Sequence, residues 1–216
     1  AVEPLYTLGQ DEETLRAYIL QRDWPKGPSV YSDINYILLG LVIERVTGQP
    51  LRKQNLAKGL SFSPPLDQSV STEFCTWRNR IMRGAVHDEN AFALGGAAGH
   101  AGLFGTVDGV LDHALRILND QGLSSMMMRE MITPQFNHRT LGWEINHDGW
   151  HGGEGHSPST IGHLGFTGTG LWIDKARGYA WTLLTNRVHP SRHRETGIMA
   201  LRRETGRRVA QIFKNH

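Results

Sequence analysis

Two short stretches hold side chains that could do chemistry. "VYSDINYILLGLVIERVTGQPL", residues 30–51, sets Tyr31, Ser32 and Asp33 at the mouth of an otherwise apolar helix. "GHLGFTGTGLWID", residues 162–174, sets His163 close to Gly165 and Phe166. The first trio has a plain use: Ser32 or Asp33 can cap the helix by accepting first-turn N–H groups. It also has a sharper one, as the edge of an active site. There a phenol handles protons only where nearby cations bring its pKa down from ~10. The imidazole of His163 can donate, accept, or change charge near neutral pH. Gly165 has no side chain to hold a ligand away from the backbone.

Other polar clusters invite weaker readings. His87, Asp88, Glu89 and Asn90 could build a metal or acid–base site. The expected role is a hydrogen-bonded loop that braces the glycine-rich segment after it. His147, His151 and His156 lie among glycines without a cysteine or carboxylate pattern, so a solvated loop is expected and no metal site. Cys75, the single cysteine, excludes an internal disulfide framework and reads as a small buried hydrophobe. It fits a cytoplasmic or a periplasmic protein equally.

The elements that must position these groups follow from periodicity. "DEETLRAYILQRDW" predicts a helix capped by Asp11, with Leu15, Tyr18 and Ile19 inward, broken by "WPKGPS". Ile34, Ile37, Leu38, Leu41, Val42 and Val46 predict the next helix, stopped by Gly48 and Pro50. "AFALGGAAGHAGLFGTVDG" is too apolar for a solvated linker and reads as tightly turned, buried chain. "DGVLDHALRILNDQG", with Val110, Leu111, Ala114, Leu115 and Leu118, and "SSMMMREMITPQ" are further helices. "LGWEIN", "TGLWID" and "YAWTLLTN" have strand lengths, and "DKARG" joins the last two as a hairpin. Helices followed by a hairpin-rich sheet and one more helix argue for an α+β fold with an antiparallel sheet. The expected division is a helical part, 1–140, and a part with strands and the final helix, 141–216.

Charge excludes some partners. The whole chain carries +2, while residues 191–216 hold seven Lys/Arg against two Glu. Ile198, Leu201, Thr205, Val209 and Ile212 lie on one face there, so an amphipathic helix packed on the sheet is expected, with its arginines in water and no nucleic-acid partner. No apolar run reaches membrane-spanning length.

The two opening stretches together resemble serine hydrolases of the class C β-lactamase and penicillin-binding-protein type. "YSDINYILLG" is similar to that superfamily's second motif, Tyr-x-Asn, or Tyr-Ser-Asn/Asp in many relatives, on a loop entering a helix. "GHLGFTG" is similar to the third, Lys-Thr-Gly or His-Thr-Gly. "RGAVHDENAFALGGAAGHAGLFGT" is similar to a segment of the esterase- and amidase-like branches. The likeness covers nearly the whole chain, in order. It implies a β-lactamase/DD-peptidase-like fold: an antiparallel sheet flanked by helices, with a helical subdomain. It also implies acyl-enzyme formation on an amide or ester, with no cofactor.

By the same resemblance Tyr31 handles the proton, Asp33 orients substrate or the base network, and His163 takes the third motif's cationic place. Gly165 lets substrate approach, and the N–H of Phe166 is an oxyanion donor. Asp33 departs in charge from the family's Asn. Leu164 replaces a Thr that often contacts a substrate carboxylate, which weakens the case for penicillin-like ligands. The nucleophile motif, Ser-x-x-Lys, is absent; Ser191 with Arg194 comes nearest. The chain therefore reads as the C-terminal part of a longer hydrolase, with a small-molecule or peptide substrate, peptidoglycan-derived peptides among them. Its rivals are a carboxylesterase of the same superfamily and a catalytically inactive binding module.

Overall fold

A computed structural model describes residues 3–24, 27–28 and 30–214, which cluster into two compact units, Ala1–Gly105 and Thr106–His216. Pro25, Lys26 and Ser29, within the expected break after the first helix, lie outside the described residues.

In the first unit, α1 (Glu12–Gln21) begins at Asp11, whose carboxylate accepts from the Thr14 N–H at 2.8 Å, as its sequence predicts. Leu15 and Ile19 are fully buried and meet Leu5, Leu94 and Ile37 of α2 (Asp33–Thr47). Arg16 of α1 pairs with Glu44 of α2, and Glu44 also accepts from the Leu51 N–H at 2.7 Å. α2 stops at Gly48, in the left-handed region at φ 69°.

The buried side of α2 differs from the predicted stripe. Ile37 and Gly40 are buried, whereas Val42 and Val46 are exposed. Backbone contact explains the shift. A Cβ on Gly99 would lie 1.8 Å from the Tyr36 carbonyl oxygen, so the glycine-rich segment lies against α2 with no side chain between them. That segment is the tight, partly buried chain its composition predicts.

Short elements complete this unit. β1 (Leu60–Ser61) pairs antiparallel with β4 (Phe104–Gly105), and β2 (Phe74–Cys75) pairs with β3 (Arg80–Ile81). Between them α3 (Glu89–Ala93) is capped by Asp88. Cys75 is buried, as expected, and its sulfur accepts from Arg78 Nε at 3.0 Å.

The second unit holds an antiparallel sheet in the order β5 (Glu144–Ile145), β6 (Ile161–Leu164), β7 (Thr169–Asp174), β8 (Tyr179–Leu184). Period-2 alternation sorts its side chains. Ile161, Leu171, Ile173 and Ala180 face Ala114 and Ile117 of α4 (Val107–Leu118) and Met128 of α5 (Ser125–Ile132). Trp172, Tyr179, Trp181 and Leu183 face the other way, toward Trp150 and Val209 of α6 (Ile198–Lys214).

The β7–β8 turn is the predicted hairpin, with Gly178 at φ 74°. Asp174 closes it, fully buried, accepting from Ser157 N–H at 2.8 Å and Ser157 Oγ at 2.7 Å. On α4, Leu115 is exposed and Ile117 takes its expected place inside. The change from helix to strand near residue 140 is real, but α4 and α5 share a core with the sheet, so the compact units divide at Gly105. Strand and helix content with an antiparallel sheet matches the expected α+β class. Among the described residues no helix is long and apolar enough to cross a membrane.

Candidate active site

One part of the expected site stands at the head of α2. Ser32 occupies the N-cap position in extended backbone, yet its hydroxyl accepts no first-turn N–H. The caps of α1, α3, α4 and α5 all do so. Tyr31 is 65% exposed. Asp33 lies in the first turn, where the positive end of the helix dipole favours a carboxylate.

Behind Asp33 stands a brace. One polar atom each of Asp33, Asp88 and His100 lies within 4.8 Å of the others. His100 Nε2 sits 2.9 Å from Asp88 Oδ1, which also accepts the Ala91 N–H at 2.8 Å. Burial pushes the Asp88 carboxyl up, but the donors from His100 and Ala91 outweigh it and hold it below the ordinary range. His100 is nearly buried, and its Nδ1 has no hydrogen-bond partner. The proton therefore belongs on Nε2, facing Asp88.

A cation ligated by Nε2 would move that proton to Nδ1, leaving a buried donor unsatisfied. The trio thus fits a hydrogen-bonded brace better than a metal centre. Its neighbours follow suit: His87 Nε2 meets Glu73 at 3.0 Å, and the Asn90 side chain accepts the Tyr6 N–H at 3.3 Å. This is the bracing loop expected from "HDEN".

The other part lies on β6 and the turn after it. His163 pairs across the strands with Leu171. β5 stops at Glu144, opposite Gly162, so His163 and Leu164 extend beyond the reach of β5. His163 Nδ1 donates to the Leu164 carbonyl at 2.9 Å, which fixes the proton there and makes Nε2 an acceptor. Burial drives the His163 pKa below its ordinary value, more than the Leu164 bond raises it, and Arg139 adds to the fall. The ring is neutral at pH 7, so the cationic place expected for it is not filled by charge.

The turn from Gly165 to Thr169 has its carbonyls fully engaged. Gly165 O accepts from Gly168 N (3.1 Å) and Arg202 (3.0 Å). Phe166 O accepts from Arg187 Nε (2.7 Å), and Thr167 O from the Arg187 N–H (2.8 Å). Gly168 O accepts from Thr185 Oγ1 (2.6 Å), and Thr169 O from Gly165 N (2.9 Å) and Arg202 (2.8 Å). Gly165 fits closely in the turn: a Cβ there would lie 2.0 Å from Thr169 Oγ1, which would have to rotate away. Phe166 is 56% exposed, with the Arg187 guanidinium 4.3 Å from its ring centre.

Sequence reasoning missed the aromatic layer on this face of the sheet. The expected solvated histidines are instead core residues. His156 stacks on Trp181 at 4.2 Å and bonds the Tyr179 hydroxyl at 2.9 Å. Trp172 Nε1 donates to His151 Nδ1 at 2.8 Å, and burial pushes His151 down to about 4. His147 alone is partly open, reaching Glu144 at 3.1 Å. The signal was the density of tryptophan around them: aromatic rings give imidazoles apolar walls.

Ser191 and Arg194 form only a surface turn, so they supply no nucleophile pair.

Comparison with known proteins bears on family and fold. The Beta-lactamase family profile matches residues 6–204. The chain is 32% identical over 217 residues to a protein of Escherichia coli O157:H7 named "Putative D-alanyl-D-alanine carboxypeptidase", covering 84% of this chain and 50% of that one. It is 34% identical over 199 residues to the N-acetylmuramyl-L-alanine amidase of Bacillus subtilis (strain 168), covering 74% and 44%. The chain thus spans about half the length of these relatives. Among solved structures, the D-amino acid amidase of Ochrobactrum anthropi SV3 superposes with a TM-score of 0.60 at 17% identity, over 100% of this chain and 65% of that one. That likeness is one of fold.

Proposed function

Because the chain belongs to the Beta-lactamase family, we propose that it carries the tyrosine motif and the third-motif turn of a serine hydrolase. The enzyme would form an acyl-enzyme on an amide or ester, with a peptidoglycan-derived peptide as the substrate class. The named activities of the carboxypeptidase and amidase relatives support that class.

The observation that carries the reading is at the head of α2. A helix entrance rich in polar groups leaves Ser32 without a capping role and Tyr31 exposed. In this reading Tyr31 is the group that handles the proton. With Nδ1–H committed to the Leu164 carbonyl, His163 offers Nε2 as an acceptor. The Tyr31 oxygen would take the proton of the attacking serine. The Phe166 N–H receives the charge that develops on the carbonyl oxygen. The serine and its lysine would come from outside residues 1–216.

The test is labelling of the protein expressed from its complete gene with a fluorophosphonate, followed by turnover of a chromogenic ester, a muropeptide and a cephalosporin. Labelling with muropeptide turnover supports the proposal, and ester turnover alone supports the carboxylesterase. The absence of Ser-x-x-Lys from the chain favours a second reading, a binding module without catalysis. A folded protein that takes no label and turns over nothing would establish that module.

A further inference from the structure

α6 approaches the sheet on a stripe shifted one residue from its apolar pattern. Its buried residues are Arg202, Gly206 and Ala210, whereas Leu201 and Ile212 are exposed. The reason is backbone contact at Gly206, where a Cβ would lie 1.8 Å from the Gly152 carbonyl oxygen. One helical turn earlier, that approach drives Arg202 under the β6–β7 turn, where it is only 4% exposed.

A guanidinium is costly there. Burial depresses its pKa, and no carboxylate among the described residues pairs with it. A methionine would fill similar volume without that desolvation penalty. What arginine adds is specific: one terminal nitrogen donates to both Gly165 O, at 3.0 Å, and Thr169 O, at 2.8 Å. These are the two ends of the turn that holds Phe166.

We propose that Arg202 is a positioning residue: it pins both ends of the Gly165–Thr169 turn from below and so aims the Phe166 N–H at the oxyanion. It also leaves a positive charge beneath that position. The inference rests on the hydrolase reading for its catalytic consequence, but the pinning itself does not.

Two measurements on the protein expressed from its complete gene test it. Amide hydrogen exchange should be at least ~10-fold faster over residues 165–169 in Arg202→Met than in the unmodified protein, with Trp172 and Ile173 unchanged. For turnover, kcat/KM should fall about 10- to 100-fold, carried by kcat, with KM within about twofold. Affinity for phenylboronic acid, whose serine adduct is tetrahedral, should fall by a similar factor. Arg202→Lys, which keeps the charge but not the planar fork, should recover part of each loss.

A merely structural arginine would instead change thermal stability and leave the ratio of boronate to substrate affinity untouched. Unaltered exchange over 165–169 in Arg202→Met overturns the proposal. So does normal boronate affinity in an active protein. If the unmodified protein neither turns over esters nor binds boronate, the hydrolase reading fails, and exchange alone decides the pinning.

Discussion

The head of α2 and the β6–β7 turn are held by opposite means. Around Asp33 the supports are carboxylates and imidazoles in short, paired hydrogen bonds: Asp88 with His100, and Glu73 with His87. Glycines let the backbone of the following segment press against α2. Around Gly165 the supports are cations and aromatic rings. Arg187 and Arg202 hold carbonyl oxygens, and Trp172 stacks on Trp181 at 5.4 Å beneath the sheet. The first region holds carboxylates and the exposed phenol of Tyr31. On the proposed reading the second receives the negative charge of an oxyanion.

The comparison can be broken first at Tyr31. Tyr31→Phe should lower kcat by ~10³-fold or more in the protein from the complete gene, with stability within ~0.5 kcal/mol, because the ring is exposed. Retained turnover, measured alongside a thermal melt, would make the tyrosine a surface residue only.

The aromatic support gives the next largest effect. Trp172 is fully buried against Gly162 and Gly170, where any Cβ would strike its ring. Trp172→Ala should cost about 3–5 kcal/mol in denaturant unfolding. A loss below ~1 kcal/mol would mean that the aromatic stack does not hold the sheet together.

Acid should separate the two regions. His151 is pushed down to about 4 in the fold, and burial also lowers His156 and His163. Unfolded histidine titrates near 6.5. The unfolded chain therefore binds more protons between those values, and stability falls as pH drops from ~6.5 toward 4. For His151 alone the loss amounts to about 3 kcal/mol. Asp88 and Asp174 have depressed values, so their contributions disappear only at lower pH. Unfolding followed by tryptophan fluorescence should record the histidine effect, and His151→Gln should flatten the curve above pH 4. A profile unchanged by that substitution would contradict a neutral buried imidazole.

The smallest effect sharpens the contrast among helix ends. Thr106→Ala and Ser124→Ala remove capping oxygens and should each cost ~1 kcal/mol. Ser32→Ala removes none and should cost under ~0.3 kcal/mol. Equal losses in the three melts would return Ser32 to an ordinary cap.

Much of this was legible in the sequence where periodicity and turn chemistry dominate. Asp11, Gly48 and the Asp174–Gly178 hairpin appear where local rules place them. The two motif-bearing segments have the local structure that their resemblance implies. What escaped was packing by absence of side chain. Gly40 with Gly99, and Gly206 with Gly152, draw backbones together, and α2 and α6 turn away from the stripes that apolar residues predict. Arg202 is the sharpest case: an arginine in a basic helix reads as solvated, and only the small residues four and eight positions later betray the buried face. The histidines of 147–156 failed for a related reason, since their walls come from Trp172 and Trp181, distant in sequence.

The direct test of the central claim is muropeptide turnover by the protein from the complete gene, with Tyr31 and His163 replaced in turn. If both side chains carry the chemistry, Tyr31→Phe and His163→Ala each lower kcat by at least ~100-fold in a protein that still folds. Full turnover by either variant would contradict the assignment of that side chain to the site, and the proposed chemistry with it.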